Sequence, residues 1–550
     1  MSDDLQQLAD EFWEATLRFQ PTFRHMLGDY TAVGEWEHAS REAEDRHVAE
    51  LRDLVARADA LDPGGLDDDQ RLTREVLVAS ATTAADLTAT PLTGLSANPV
   101  SGPQRQLALV LGLLSVPDRA VAEQMPAKLD AVGEHLQELA VRTREAAADG
   151  WVSAAFAVTE TLEQLDRLLA TPVDADPAVS AVQVPDGVDA DALRGELRAA
   201  IERSVRPGFT AFRDALREML PEARSEERCG LSWLSGGDEA YAASLRYFTT
   251  TEKSAQEIHE IGLAQVAKLA DEYRALGPEV VGTDDLEQIF DAMRTDPKLH
   301  FEHADELVEQ SKVALARAEA AMGDWFEVVP KAPCAVEGTQ VGAKAFYFAP
   351  ATDGSRGGTF FVNTEDPSSW GRFELEAMAF HEGVPGHHLQ LAIAAELPDT
   401  VPVFRRHLHN SAYAEGWGLY SERLSDEMGL YSASIDRMGM YSADSMRACR
   451  LVVDTGLHAL GWSRQQAIDY MVANSPLTEG VCRPEVDRYI CVPGQATSYM
   501  VGRLEIERIR HRAEQRQGDR FDVRRFHSAV LDGGSLPLGV LDRVVAARLP

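Results

Sequence analysis

Histidines and an acidic residue are concentrated in the stretch FELEAMAFHEGVPGHHLQ, residues 373–390. The ligand-type residues fall within eight positions, and they are His381, Glu382, His387 and His388. Zinc hydrolases hold their ion with three protein ligands and keep one position for water. A common helical version is HExxH, in which a glutamate between two histidines acts as the base. The stretch therefore predicts a catalytic metal site with His381 as one ligand and Glu382 as general base.

The spacing between these histidines is wider than in HExxH, because Gly-Val-Pro-Gly separates Glu382 from His387. Residues six or seven positions apart lie roughly 9–10.5 Å apart along a straight helix, too far to share one ion. Pro385 removes a helical hydrogen bond and Gly386 relaxes the backbone, so we expect a bulge or kink here. The distortion would bring either His387 or His388 beside His381. Alternatively, these histidines lie on the surface or form ordinary hydrogen bonds.

A third ligand is expected from the downstream segment SAYAEGWGLYSERL, residues 411–424. Glu415 lies among small and aromatic residues, where an unpaired acid would be costly. Glu422 follows seven residues later on the same helical face, and it would support a ligand from behind or serve a structural role. The alternative for Glu415 is a salt bridge inside the core.

Further polar residues that could act on a substrate occur in segments 447–463 and 488–510. A tyrosine hydroxyl near a metal can stabilise an oxyanion, and an arginine can hold a carboxylate through paired hydrogen bonds. Each of these residues taken singly is more typical of a structural role. The candidates are Tyr489 and Tyr499 for catalysis, and Arg450, His458, Gln495 and Arg503 for substrate binding.

Two aromatic and β-branched segments, AKAFYFAP (343–350) and TFFVNT (359–364), flank the sequence DGSRGG and predict a β-hairpin. The hairpin is either a small structural element or an edge strand beside the site. An edge strand can pair with an extended peptide through main-chain hydrogen bonds. On that interpretation, Phe361 and Asn363 are candidate substrate-binding positions.

The rest of the chain predicts helices. Apolar residues recur at helical spacing, glycine- and proline-rich connectors separate them, and neither a fixed repeat nor a βαβ alternation occurs. The predicted fold class is mainly α, with a small β-hairpin near the site. Two helical halves around a channel are added to this prediction by the family resemblance given below. We place the N-terminal half at residues 1–250 and the catalytic half at 251–550, within one continuous unit.

The composition excludes some partners. Asp and Glu outnumber Lys and Arg by 89 to 53, and a formal charge of −36 opposes binding to nucleic acid or an anionic membrane. The N-terminal residues do not resemble a secretory signal, and no apolar run is long enough to span a bilayer. The five cysteines form no CxxC pair. We therefore expect a reduced, cytoplasmic protein, whose oligomeric state the sequence leaves open.

Four segments carry a family resemblance: HEGVPGHHLQ, AYAEGWGLYSE, RLVVDTGLHALGWS and PGQATSYMVGR. They resemble the hallmark segments of the bacterial domain-of-unknown-function family 885, over residues 340–510. The resemblance implies a helical, metallopeptidase-like fold, distantly similar to thimet oligopeptidases, angiotensin-converting enzyme and Taq-type carboxypeptidases. It also implies the roles of His381, His387 and Glu415 as ligands and of Glu382 as base, with Tyr489 or Tyr499 as donor.

These observations together predict a hydrolase with one zinc ion that cleaves peptide or related amide bonds. Its substrate would be a peptide or a small amide. Two alternatives stay open: a hydrolase or lyase that acts on a non-peptide small molecule, and a metal-binding protein without catalytic activity. A serine hydrolase is disfavoured because no GxSxG motif occurs.

Overall fold

Helices dominate the computed structural model, which describes residues 3–350 and 356–550. They make up 71% of the structure, and the strands form a single small sheet within the described residues. The prediction of a mainly α fold is therefore confirmed. No helix among the described residues combines the length and the apolar character needed to cross a membrane.

Five of the helices before residue 250 begin with a Ser or Asp side chain that accepts from a free backbone N–H group of the first turn. For example, the Asp67 side chain accepts from Gln70 N while Gln70 returns the bond to Asp67 N. The helices before residue 250 are α1 (Asp3–Phe19), α2 (Pro21–Met26), α3 (Arg41–Asp59), α4 (Asp68–Thr88), α5 (Pro103–Leu113), α6 (Arg119–Ala122), α7 (Met125–Ala148), α8 (Ala155–Ala170), α9 (Pro177–Ala181), α10 (Ala190–Ala200), α11 (Arg206–Met219) and α12 (Gly237–Thr249).

The helices after residue 250 carry the candidate site. They are α13 (Ala255–Val280), α14 (Leu286–Thr295), α15 (Ala304–Trp325), α16 (Glu374–Glu382), α17 (His387–Ala395), α18 (Val403–His407), α19 (Ser411–Glu427), α20 (Ser434–His458), α21 (Arg464–Ala473), α22 (Glu479–Cys491), α23 (Ser498–Gln517), α24 (Val523–Leu531) and α25 (Leu538–Arg548). Helix α13 packs along α20, and α19 packs along α23.

Small residues allow α19 and α23 to cross closely. A side-chain carbon on Gly416 would lie 2.5 Å from the Cα of Gly502, which is far inside van der Waals contact. Both glycines are therefore needed for this approach of two backbones. The crossing fixes α19, the helix that carries Glu415 and Glu422, against the C-terminal helices.

Two hydrophobic cores hold the molecule together, and each draws residues from both sides of residue 250. One core combines α1, α3 and α4 with helices between α12 and α25. The other combines α5, α7, α8, α10 and α11 with α20, α21 and α22. The division at residue 250 therefore separates segments of sequence that share both apolar interiors.

The sheet has the order β1–β3–β2, with β1 at Cys334–Thr339, β2 at Ala345–Phe348 and β3 at Gly358–Asn363. Strands β2 and β3 are antiparallel, with Phe346 opposite Phe361, which agrees with the predicted hairpin. Part of the predicted turn, residues 351–355, lies outside the described residues. Strand β1 was not predicted, because its sequence CAVEGT has little alternation.

The position of β3 corrects one prediction. It is paired with β1 on one side and β2 on the other, so residues 359–364 are not an edge strand. Phe361 stacks on Phe346 with ring centroids 5.0 Å apart, and Asn363 Nδ2 donates to the Gly342 carbonyl at 3.2 Å. Both side chains therefore support the sheet, and neither borders the cavity described below.

Candidate metal centre

The distortion predicted at Pro385-Gly386 is a complete break between two helices. Helix α16 ends at Glu382 and α17 begins at His387. A side-chain carbon on Gly386 would lie 2.0 Å from the carbonyl oxygen of His381, so only glycine fits there. Trp417 Nε1 donates to the Pro385 carbonyl at 2.9 Å and ties the connection to α19. The break lets the two histidines approach each other despite their spacing in sequence.

The two histidines converge on Glu415. His381 Nε2 and His387 Nε2 each lie 3.6 Å from Glu415 Oε2, and one ligand atom from each residue lies within 4.8 Å of the others. The imidazole rings are 4.7 Å apart and nearly perpendicular. Among the described residues, this is the one group of three such side chains with metal-ligand spacing.

Glu422 supports the cluster from behind. Its Oε1 lies 2.7 Å from His381 Nδ1, and both side chains are almost fully buried. Burial alone would lower the pKa of His381, but the carboxylates of Glu415 and Glu422 raise it to about 9. For Glu415 the effects have the opposite signs. Burial alone would raise its pKa, but the imidazoles of His381 and His387 hold it well below its usual range. The site therefore has an excess of negative charge that a cation would balance.

His388 is not part of this cluster, which contains His387. His388 Nε2 lies 3.0 Å from the Ala332 carbonyl, and its Nδ1 lies 2.8 Å from the Tyr347 hydroxyl. Both ring nitrogens are thus occupied on the side facing the sheet. Because His388 follows His387 at the start of α17, the two rings point in different directions.

Glu382 borders a cavity of about 910 Å³ that opens onto the cluster. Its side chain is 8% exposed and lies next to the charge of His381. His381, His387, Glu415, Tyr499 and Arg450 also line this cavity. The structure thus brings together the predicted base, the ligand set, one predicted donor and one predicted substrate-binding residue.

The two candidate tyrosines separate clearly. Tyr499 lines the cavity, and its ring lies under the Arg450 guanidinium at 4.5 Å. Burial and the nearby Glu415 carboxylate raise the pKa of Tyr499, which keeps its hydroxyl protonated. Tyr489 is fully buried, donates to Glu485 at 2.6 Å and accepts from Arg450 at 3.0 Å. Tyr489 is therefore a structural residue and not a donor toward the cavity.

Three of the predicted substrate-binding residues lie away from the cavity. His458 accepts from Leu231 N at 3.2 Å and donates to the Tyr489 carbonyl at 3.0 Å, inside the protein. Arg503 is 1% exposed and forms a two-oxygen ion pair with Asp444. Gln495 accepts from Arg488 and borders a separate cavity of about 480 Å³. Their spacing in sequence could not show that the fold turns His458 and Arg503 into its core and Gln495 toward a different cavity.

Several cavity residues escaped the sequence analysis: Tyr347, His409, Arg447, Glu485 and Arg488. A signal existed for one of them, since Arg447 precedes Arg450 by three positions and shares its helical face. His409 borders both cavities. The others sit on helices and strands whose mutual placement is a tertiary property.

The helical fold and the His–His–Glu cavity define a large α protein with a candidate metal centre on a broken helix. The chain belongs to the family described as bacterial protein of unknown function (DUF885), whose model matches residues 21–545. No protein with curated annotation matches it.

Two solved structures share this fold. One is described as "the putative lipoprotein from Colwellia psychrerythraea"; it is 25% identical, each chain is covered to 100%, and the TM-score is 0.92. The other is described as "a putative lipoprotein of unknown function from Shewanella oneidensis", at 18% identity and a TM-score of 0.76. That alignment covers 99% of this chain and 100% of the other.

Proposed function

We propose that this protein is a zinc-dependent hydrolase that cleaves peptide or related amide bonds in short substrates. The observation that carries the proposal is the convergence of His381, His387 and Glu415 beside the cavity that Glu382 borders. Two imidazoles and a carboxylate with one open position form a ligand set that catalytic zinc sites use.

The spacing of the ligand atoms fits one zinc ion. Ligands about 2.05 Å from a tetrahedral ion lie roughly 3.3 Å from each other. The two histidine–glutamate separations here are 3.6 Å, which is longer than an ordinary hydrogen bond and close to that edge length. The contact between Glu422 and His381 adds the carboxylate that commonly orients a zinc-bound histidine.

Zinc, Glu382 and Tyr499 would each have a different role in the proposed reaction. When bound, zinc would supply Lewis acidity, which polarises a carbonyl group and lowers the pKa of water. Glu382 would accept the proton from the attacking water and deliver it to the leaving amine. Tyr499, with its hydroxyl kept protonated, would donate to the oxygen that becomes negative in the transition state.

Strand β2 would position the substrate. It lies at one side of the sheet, pairs with β3 along its other side, and places Ala345, Phe346 and Tyr347 at the cavity. An extended peptide could add to that free side through main-chain hydrogen bonds. This role replaces the one first predicted for residues 359–364. A cavity of about 910 Å³ suits a short peptide rather than a folded protein.

Metal analysis of the wild type beside four alanine variants tests the ligand set. We expect about one zinc per chain in the wild type and in His388→Ala, and loss of zinc in His381→Ala, His387→Ala and Glu415→Ala. The same zinc content in all five proteins would contradict the site. His388→Ala is the matched control, since it removes an adjacent histidine that is bonded elsewhere.

Hydrolysis of dipeptides, N-acyl amino acids and esters then tests the reaction. We expect Glu382→Gln to keep its zinc and to lose on the order of 100-fold or more in rate. Glu376→Gln is the control, because Glu376 lies on the same helix but pairs with Arg317 and Ser432. Cleavage of esters alone would favour a non-peptide substrate. Unchanged activity in Glu382→Gln, or none in the wild type, would contradict the proposed catalysis.

A further inference from the structure

Three arginines line the wall of the cavity beyond Tyr499, and one carboxylate faces them. The arginines are Arg447 and Arg450 on α20 and Arg488 on α22, and the carboxylate is Glu485. The protein as a whole carries a formal charge of −36. The local excess of positive charge in this wall is therefore opposite in sign to the net charge of the chain.

Glu485 is shared by two of the arginines. Arg450 Nη2 and Arg488 Nη2 lie 2.9 and 3.0 Å from Glu485 Oε2, and the Tyr489 hydroxyl donates to the same oxygen. Burial would raise the pKa of Glu485, but Arg450 and Arg488 hold it well below its usual range. One carboxylate is thus fully committed, and Arg450 still has a buried Nη1 without a hydrogen-bond partner among the described residues.

Arg447 lacks a carboxylate partner altogether within residues 3–350 and 356–550. Arg447 is 8% exposed, and its Nε is buried without a partner among the described residues. Its Nη1 makes long contacts, 3.3 Å to the Ala443 carbonyl and 4.0 Å to the Met446 sulfur. An unpaired guanidinium is costly to bury. An anion that enters the cavity would offset this cost, because Arg447 and Arg450 both line it.

Tyr499 connects this wall to the metal centre. The guanidinium groups of Arg450 and Arg447 lie 4.5 and 5.9 Å from its ring, and the charge of Glu415 also acts on its hydroxyl. A group bound by the arginines would therefore lie one tyrosine ring away from the reacting bond. This arrangement suits a substrate with a negative charge close to the amide that is cleaved.

We propose that Arg447 and Arg450 bind the free carboxylate of the substrate, so that the substrates are short peptides or N-acyl amino acids cleaved next to their C-terminal carboxylate. The proposal names the substrate class of the proposed hydrolase and rests on that function. The carboxylate would accept from the guanidinium groups of Arg447 and Arg450, two cavity-lining residues that each keep one N–H group without a partner among the described residues.

Calorimetric titration tests the proposal without relying on turnover. N-acetyl-alanyl-alanine and its C-terminal amide are titrated into the Glu382→Gln protein, in the presence of zinc and again with a chelator. We expect the acid to bind more tightly than the amide by on the order of ten- to a hundredfold, since charged hydrogen bonds distinguish them. Arg447→Met in the same background should abolish most of this preference and leave binding of the amide unchanged.

Arg437→Met is the matched control, because Arg437 lies on the same helix and pairs with Asp426 at the surface. It should keep the preference for the acid. Equal affinity for the acid and the amide would overturn the carboxylate site. A preference for the acid that requires zinc and persists in Arg447→Met would also overturn it. Inorganic phosphate is titrated in parallel, and tighter binding of phosphate than of the acid would also overturn it.

The outcomes separate this proposal from the proposed function. An acid preference that depends on Arg447, in a protein that hydrolyses none of the tested amides, would support the binding site and contradict the hydrolase. Hydrolysis that is abolished by Glu382→Gln, with equal binding of acid and amide, would support the hydrolase and contradict the carboxylate site.

Discussion

Glu422 Oε1 lies 2.7 Å from Nδ1 of His381, while Nε2 of the same ring faces Glu415. The two nitrogens of the His381 imidazole therefore contact different carboxylates. The N–H of Nδ1 donates to Glu422, and a metal ion that displaced the proton on Nε2 would leave the lone pair of that nitrogen directed toward Glu415. Glu422 is 1% exposed, so this orientation is enforced inside the protein.

Glu422→Gln should weaken zinc binding by about 10- to 100-fold, because the neutral amide orients His381 less firmly and makes its ring less basic. Competition with a chromophoric chelator measures the affinity. Glu427→Gln, on the same helix but paired with Arg510 at the surface, should bind zinc as the wild type does. An unchanged affinity in Glu422→Gln would show that this carboxylate does not act through the metal ligand.

Gly418→Ala should displace the His381 ring. A side-chain carbon at Gly418 would lie 2.7 Å from Cε1 of His381 and 2.8 Å from its Nε2, and a ring can move where a backbone cannot. We expect a large loss of zinc at a stability cost of about 1–3 kcal/mol. Gly323→Ala is the control, since nothing lies within 4 Å of the added carbon, and it should stabilise its helix slightly. Full zinc content in Gly418→Ala would contradict this account of the packing.

His458 should make the protein less stable as the pH falls. Burial lowers its pKa to about 3, below the value of about 6.5 in an unfolded chain, and its Nδ1 accepts from Leu231 N. Below pH 6.5 the unfolded state therefore binds a proton that the folded state refuses. Between pH 6.5 and 4.5 this group should lower the free energy of unfolding by about 2 kcal/mol.

Urea denaturation at both pH values, on the wild type and on His458→Gln, measures that contribution. The variant should show a weaker dependence on pH by about 2 kcal/mol, because glutamine does not titrate. His511→Gln removes an exposed histidine and should leave the dependence as it is. Identical pH dependence in the wild type and His458→Gln would contradict the assignment of a neutral, buried imidazole.

Arg503→Met should destabilise the protein without affecting zinc content. Arg503 Nη1 lies 2.8 and 2.7 Å from the two carboxylate oxygens of Asp444, which is 0% exposed. Asp444 would keep Arg423 as a partner but lose two charged hydrogen bonds inside the core, and the expected cost is about 2 kcal/mol. Arg437→Met, which breaks an exposed pair, should cost less than about 1 kcal/mol. Thermal unfolding and metal analysis decide between this structural role and substrate binding.

The candidate metal centre could be predicted from the sequence because its parts are close together along the chain. His381, Glu382 and His387 fall within one short segment, and Glu415 and Glu422 lie seven positions apart on one helix face. The Pro-Gly step predicted a distortion, although its form, a full helix break, needed the structure. The contacts that distinguish His388 from His387 come from the sheet region. The Tyr347 hydroxyl of β2 and the Ala332 carbonyl, just before β1, bind the two ring nitrogens of His388.

The wall of the cavity could not be read in the same way. Arg450 and Arg503 both occur in polar segments near aromatic residues, yet one reaches the cavity and the other pairs with Asp444 in the core. Helical spacing identifies a face but not the element packed against it. The order of the sheet is also a tertiary property, so the sequence of β3 did not reveal that β1 covers its second side.

The free edge of β2 affects how the protein can interact with other proteins. Ala345, Phe346 and Tyr347 of β2 all border the cavity, and β2 pairs with β3 alone among the described residues. Bare strand edges on a surface recruit other chains and promote aggregation. A recessed edge excludes folded neighbours by size, while a single unfolded segment can still reach it. The same geometry would limit self-association through the strand edge, and it would keep folded proteins out of the proposed active site.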